Sequence, residues 1–274
     1  MTYKSILVHA EQHETCEPRL KCAGAVADLF GSVLIGLGAE MMQSAGVADP
    51  FGMLARDWEA LLRKQLEEDL ARAEARFRAA AGDRAQEWRA LEALPTDALC
   101  WSARGADLII AGGAPRRGAD AFRTADPAEL ALRSGRPVLI APPTLQPFRG
   151  DHVVVAWKDT REARRALLDA LPFLLRAQSV TVLEICEERK QAAAEFRTAD
   201  VAAHLRRHGA KASSRVKIAD EAVAGWELRV QAQSLDADLI VAGCYGHHRL
   251  QEWVTGGVTR DLVGEARGFL LLSH

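Results

Sequence analysis

The 274-residue chain is predicted to be a duplicated α/β protein, with two tandem parallel-sheet domains and helices on both faces of each sheet. Three observations carry that expectation. Short apolar runs alternate with helix-period segments, the pattern of parallel strands joined by right-handed crossover helices. A seven-residue segment recurs almost unchanged: Ala106-Asp107-Leu108-Ile109-Ile110-Ala111-Gly112 returns 131 residues later as Ala237-Asp238-Leu239-Ile240-Val241-Ala242-Gly243. A period that long marks duplicated domains rather than a solenoid. Residues 141–147, Ala-Pro-Pro-Thr-Leu-Gln-Pro, read as an extended linker, because proline fixes φ and has no N–H to donate. The domains are then 1–143 and 150–274.

The second domain shows the elements in order. Within the strand expected at 152–157, residues 153–156 are a continuous apolar run, as expected of a strand covered on both faces. Asp159-x-x-Glu162 has the spacing of a capping box, with Asp159 as the cap. Ala163, Ala166, Leu167, Ala170, Leu171 and Leu174 then recur at helical spacing and predict one helix. Strands follow at 179–185, 214–219, 239–242 and 269–272, with helices at 191–208, 222–235 and near 258–266. Gly209 is placed to stop the 191–208 helix. The first domain opens on a strand at 5–10 and closes on one at 137–141, with a loop-like segment at 41–51. Leu54, Trp58, Leu61, Leu62, Leu66, Leu70, Ala73 and Phe77 mark a long amphipathic helix ending at Gly82, most simply one that covers its own sheet.

Composition narrows the function classes. Formal net charge is −2, and neither half is strongly basic, which argues against nucleic acid as a partner. No apolar run approaches the ~20 residues that span a bilayer, and residues 1–4 lead straight into a strand without a signal-peptide core. Five scattered cysteines with no C-x-x-C pair point to a reducing compartment, so a cytoplasmic location without a membrane partner is expected. The G-x-S-x-G elbow, the Walker loop and the Rossmann G-x-G-x-x-G are absent where they would be needed.

The chemistry is expected after the fourth strand of the second domain. Gly243, Gly246, Gly256 and Gly257 stand in a G-x2-G-x9-G-G pattern between a strand and a helix. Ligands of open α/β sheets bind outside the carboxyl ends of the strands, where strand order reverses. Free amides at Gly256, Gly257 and Val258 would favour an anion such as phosphate. His247 and Arg249 lie in the same loop and could face that phosphate; no metal site is expected of the His247-His248 pair. Cys244 reads as a small buried residue.

The block 237–261, with Tyr-Gly-His-His-Arg-Leu and Gly-Gly-Val-Thr-Arg-Asp-Leu, resembles the C-terminal signature of universal stress proteins. The resemblance covers the whole chain as two tandem domains and is closer in the second. It implies five-stranded parallel sheets in the order 3-2-1-4-5, pairing through the fifth strands about a pseudo-twofold axis, and possible further dimerisation. It also implies an ATP or AMP site, with or without Mg²⁺, between strands one and four. Carried over, Gly243 and Gly246 line the ribose–phosphate channel. Gly256, Gly257, Val258 and the Thr259 hydroxyl hold the phosphates. The base lies over the turn at Ala156, Lys158 and Asp159.

Two positions depart from the family pattern. Gly257 replaces the usual Ser or Thr, and Lys158 stands where an Asp is common. Lysine cannot accept a hydrogen bond, so it would meet phosphate as a point charge or occlude the site. In the first domain no G-x9-G spacing survives, His9-Ala10-Glu11 replaces the Asp-bearing turn, and Asp126-Pro127 caps a helix without glycine. That domain is expected to bind no nucleotide. The reading is a cytoplasmic stress-response regulator that binds adenine nucleotide, with no catalytic residues and at most slow ATP hydrolysis. The alternative is a ligand-free interaction scaffold that has lost the site.

Overall fold

A computed structural model describes residues 2–42, 53–113, 121–244 and 268–274. The elements of the first half are β1 (Ser5–Ala10), α1 (Glu17–Phe30), β2 (Val33–Glu40), α2 (Met53–Ala81), β3 (Gln86–Glu92), α3 (Pro95–Ser102), β4 (Leu108–Gly112), α4 (Pro127–Arg133) and β5 (Val138–Ala141). The second half has β6 (His152–Ala156), α5 (Arg161–Asp169), α6 (Leu171–Leu174), β7 (Ser179–Cys186), α7 (Gln191–Arg207), β8 (Ala212–Ile218), α8 (Ala224–Ser234), β9 (Leu239–Gly243) and β10 (Phe269–Ser273). The expected helix near 258–266 and most of the expected loop at 41–51 fall outside the described residues.

The strands form one ten-stranded sheet, in the order β3-β2-β1-β4-β5-β10-β9-β6-β7-β8. Each half is the expected 3-2-1-4-5 parallel arrangement. The halves meet through β5 and β10, which pair antiparallel with Leu271 opposite Leu139. This is the pseudo-twofold pairing through the last strands.

Side chains alternate across the sheet and build two apolar layers. Ile6 and Val8 of β1, Val153 and Val155 of β6, and Leu271 of β10 face α1, α2, α5, α6 and α7. Leu7, Val154, Leu270 and Leu272 face α3, α4 and α8. Both layers run through both halves, so the sheet is covered on its two faces across the junction.

The repeated Asp is a structural clamp. Asp107 Oδ2 accepts from the amides of Lys4 at 2.7 Å and Ser5 at 3.0 Å. Asp238 accepts from Asp151 N at 3.0 Å and His152 N at 3.2 Å. In each half the residue before the fourth strand therefore fixes the start of the first. Helix ends follow the glycines: Gly82 and Gly209 stop α2 and α7 with φ of +57° and +96°.

Two local expectations are corrected. The helix predicted across 163–174 is divided between α5 and α6 at Ala170. Pro172 has no N–H for the carbonyl one turn back, so a continuous ladder cannot form. The cap of α5 is Thr160, whose hydroxyl accepts from Ala163 N at 3.3 Å. Asp159 lies one residue too early and pairs with Arg164 at 2.5 Å instead.

An aromatic cluster ties the halves together. Phe173 lies 5.2 Å from both Tyr3 and Phe30 and 5.3 Å from Phe148, ring centroid to centroid. Phe148, just after the Pro-rich segment, stacks edge-on to Phe269 at 4.9 Å. The Tyr3 hydroxyl donates to the Asp169 carbonyl oxygen at 2.5 Å. Burial, reinforced by the charges of Asp169 and Asp107, raises that phenol well above its ordinary range. Phe173→Ala is expected to reduce unfolding free energy by about 3–5 kcal/mol, read as a lower urea midpoint. An unchanged midpoint would show that the cluster does not hold the halves together.

Candidate functional site

In the second half, strand order reverses between β6 and β9, and their carboxyl ends form the rim at which ligands of open sheets bind. Ala156 pairs with Ala242, so it stands beside Gly243 on the same rim. A Cβ built on Gly243 would come within 2.5 Å of Glu162 C and Ala163 N, in the backbone of the first turn of α5. Glycine is required there because a helix end lies directly against the strand end. The Glu162 side chain is only 13% exposed.

Cys244 continues the rim. Its amide donates to Ser273 O at 2.9 Å, and its carbonyl oxygen lies 3.0 Å from Nδ1 of His274. The residue is fully buried, and that burial pushes the thiol up to about 12. It is protonated at neutral pH and has no thiolate chemistry.

The turn after β6 carries three further candidates, and they diverge. Trp157 is 7% exposed, and its indole Nε1 has no hydrogen-bond partner among the described residues. Lys158 Nζ lies 2.9 Å from Glu221 Oε1, and both side chains are exposed. Glu221 follows β8, so this pair reaches across the β7 side and away from β9. The Lys158 hydrogen bond, with its charge, holds the Glu221 carboxyl below its ordinary value. Asp159 is committed to Arg164. Of the sequence candidates, Ala156 and Gly243 are thus brought together, while Lys158 and Asp159 are held by other partners. Gly246, His247, Arg249, Gly256, Gly257, Val258 and Thr259 lie outside the described residues.

The first half differs at the corresponding places. Its fourth helix begins with Asp126 rather than glycine, and Asp126 Oδ1 accepts from Ala128 N at 2.8 Å and Glu129 N at 3.3 Å. The amides that would meet an anion are occupied by a carboxylate. A cavity of about 310 Å³ opens at the ends of β1 and β2, with Glu11, Glu40, Asp69 and Arg123 on its wall. Buried Asp69 pairs with Arg72 and accepts from Gln65 Nε2 at 2.9 Å.

Glu11 occupies the turn position that Lys158 takes in the second half. Its Oε1 lies 2.7 Å from Arg19 Nη2 and 3.3 Å from His9 Nδ1. The Arg19 approach lacks hydrogen-bond alignment, so this contact is an ion pair by distance. Burial alone would raise the Glu11 carboxyl, but the Arg19 charge and the contacts to His9 outweigh it and lower the value to about 2.

Asp107, Asp238, Trp157 and Glu162 are residues that motif reading did not assign to the site. The Asp pair was visible as the second residue of the repeat. Trp157 has no sequence signal beyond its closeness to the turn, and Glu162 reads only as the acidic partner of a capping box.

No family model matches the sequence, and no curated protein matches it. Solved structures do match. A universal stress protein from Archaeoglobus fulgidus DSM 4304 superimposes with a TM-score of 0.70 at 14% identity, covering 98% of this chain and 95% of that one. A putative universal stress protein from Pseudomonas aeruginosa UCBPP-PA14 gives 0.62 at 19% identity, over 99% and 93%. A functionally unknown protein from Pseudomonas aeruginosa PAO1 gives 0.62 at 18%, over 99% and 92%. The architecture is therefore a tandem α/β fold of the type seen in universal stress proteins. At these identities the similarity establishes the fold, over nearly the full length.

Two outcomes test this description. Gly243→Ala drives a Cβ into the α5 backbone, and a loss of about 1–3 kcal/mol in stability is expected, visible in urea unfolding without any ligand. Glu11 has a folded-state value below its ordinary 4.5. Its stabilisation is therefore complete above about pH 4.5 and is lost as pH falls toward 2. Glu11→Gln is expected to lower stability at neutral pH by up to about 3 kcal/mol. The gap should close across that acid window. A gap independent of pH would remove the carboxylate from the explanation.

Proposed function

We propose that the chain is a universal stress protein that binds an adenine nucleotide, ATP or AMP, in its second half and acts as a regulator of the stress response. The observation that carries this reading is positional. The G-x2-G-x9-G-G pattern begins on Gly243, at the carboxyl rim of the β6/β9 pair where the strand order reverses. Gly256, Gly257 and Val258 offer amides to the phosphates, and the Thr259 hydroxyl adds a donor. His247 and Arg249 supply charge from the same loop. The base lies over the turn that holds Ala156.

The described residues suit such a ligand in two respects. The unmatched indole N–H of Trp157 is a donor at that turn, and a purine ring nitrogen is an acceptor. The Glu162 carboxylate accepts hydrogen bonds and so fits ribose hydroxyls rather than phosphate. Lys158 would leave an exposed ion pair to reach a phosphate, and such pairs are worth only about 0–1 kcal/mol. Mg²⁺ would enter with ATP, since no group of three metal-binding side chains exists among the described residues. The reading includes no catalytic base, so hydrolysis would be slow at most. No helix among the described residues is long and apolar enough to cross a membrane; the reading places the protein in the cytoplasm.

The engagement of Lys158 with Glu221 favours a second reading, a ligand-free scaffold. One titration separates the two. Isothermal calorimetry with ATP, with and without Mg²⁺, is expected to show saturable binding by the wild type and none by Gly256→Glu. A flat wild-type trace supports the scaffold. Binding that survives Gly256→Glu removes the glycine loop from the site.

A further inference from the structure

We propose that His204 and His208 form a two-imidazole clamp for a borderline divalent transition cation such as Ni²⁺, Cu²⁺ or Zn²⁺. The clamp lies on the last turn of α7, in the half of the chain that carries the glycine loop, but it is independent of that loop.

The spacing i, i+4 puts both rings on one face of the helix. His208 is the C-terminal cap of α7 and keeps helical geometry, with φ −82° and ψ −6°. Its amide donates to Leu205 O at 3.1 Å, so the last turn is intact. Leu205 and Ala202 are fully buried and hold this end of the helix against the sheet. The rings already meet edge to face, with centroids 4.7 Å apart and planes at 69°. Imidazole nitrogens bind such ions at about 2.0–2.1 Å, which brings two rings on one ion to roughly 5 Å between centroids. The ring spacing already matches, and rotation about the side-chain torsions turns a nitrogen of each ring toward one ion.

Neither ring has a hydrogen-bond or ion-pair partner among the described residues. Other histidines of the chain do: His152 Nδ1 lies 2.8 Å from Ser179 Oγ, and His274 Nδ1 lies 3.0 Å from Cys244 O. The negative end of the α7 dipole favours a cation at this turn. Arg206, on the same turn, is drawn off by the Ala212 carbonyl oxygen at 2.9 Å. Arg207 also stands on this turn. Imidazole selects Zn²⁺, Cu²⁺ and Ni²⁺ over Mg²⁺ and Ca²⁺, which prefer oxygen. Two protein ligands leave the remaining positions to water. The bound ion would link the last turn of α7 just before β8, the outer strand of the sheet.

The test is calorimetric titration of the full chain with Ni²⁺, paired with thermal unfolding. The wild type is expected to bind saturably and to melt higher with Ni²⁺, while Mg²⁺ does neither. His204→Gln and His208→Gln should each weaken binding about tenfold or more and abolish the melting shift, with unchanged far-UV circular dichroism. A His247→Ala/His248→Ala double variant should bind as the wild type does. Absent wild-type binding, undiminished binding by His204→Gln and His208→Gln, or loss of binding in the His247/His248 variant would each overturn the clamp. None of these outcomes bears on the ATP titration.

Discussion

A five-stranded parallel sheet leaves two edges, and an edge of unpaired N–H and C=O groups invites pairing with another chain. This molecule treats its edges in two different ways. The strands that meet, Val-Leu-Ile-Ala in β5 and Phe-Leu-Leu-Leu-Ser in β10, are buried along their whole length. The strands left outside are charged: β3 carries Glu87, Arg89 and Glu92, and β8 carries Arg215 and Lys217. Hydrophobic edges are satisfied by each other within one chain, and the polar ones face water. The two apolar layers become continuous only because β5 and β10 pair, and the cluster around Phe173 forms only where the halves adjoin.

Antiparallel pairing has a consequence for function. All strands of one half run opposite to those of the other, so their carboxyl ends open at opposite edges of the sheet. The rim at β6 and β9 and the cavity at β1 and β2 are therefore separate places. Each can lose or change chemistry without disturbing the other. The duplicated residues divide accordingly. Asp107 and Asp238 hold the first strand of each half in the same way, and both are present. Glu11 and Lys158 stand at matching turns with opposite charge, and each has its own partner. Structure has kept the copies alike where strands begin and let them differ where strands end.

Much of this was legible because apolar runs and turn residues encode it locally. β1 and β7 fall within a residue of their apolar runs, and the glycines at 82 and 209 end their helices where left-handed backbone is needed. The less accurate readings concern choices between neighbours. Asp159 and Thr160 are both capable caps, and only the position of Arg164 decides between them. Pro172 sits inside an unbroken apolar period that hides the division, although the proline itself was the signal for it. In the site, burial and partners are three-dimensional facts. No spacing rule says that Lys158 meets Glu221, a residue 63 positions away, or that the Trp157 indole is buried without an acceptor among the described residues.

Gly243 shows how a motif residue can have two explanations of unequal generality. As the first glycine of the loop pattern it was assigned to a ribose–phosphate channel. Its surroundings give a sufficient reason that involves no ligand, because the backbone of α5 leaves no space for a Cβ. At the equivalent Gly112 of the first half a Cβ would meet only the Arg19 guanidinium, at 3.1 Å, so the tight helix contact belongs to the second half. Evidence for nucleotide must therefore come from the later glycines, which no strand end demands. The sequence reading sets Gly256 and Gly257 before a helix start, the place where the first half uses Asp126 to cap its own amides. A side-chain cap closes such a helix end to anions, and two glycines leave it open. On the proposed reading, the functional difference between the halves reduces to that contrast.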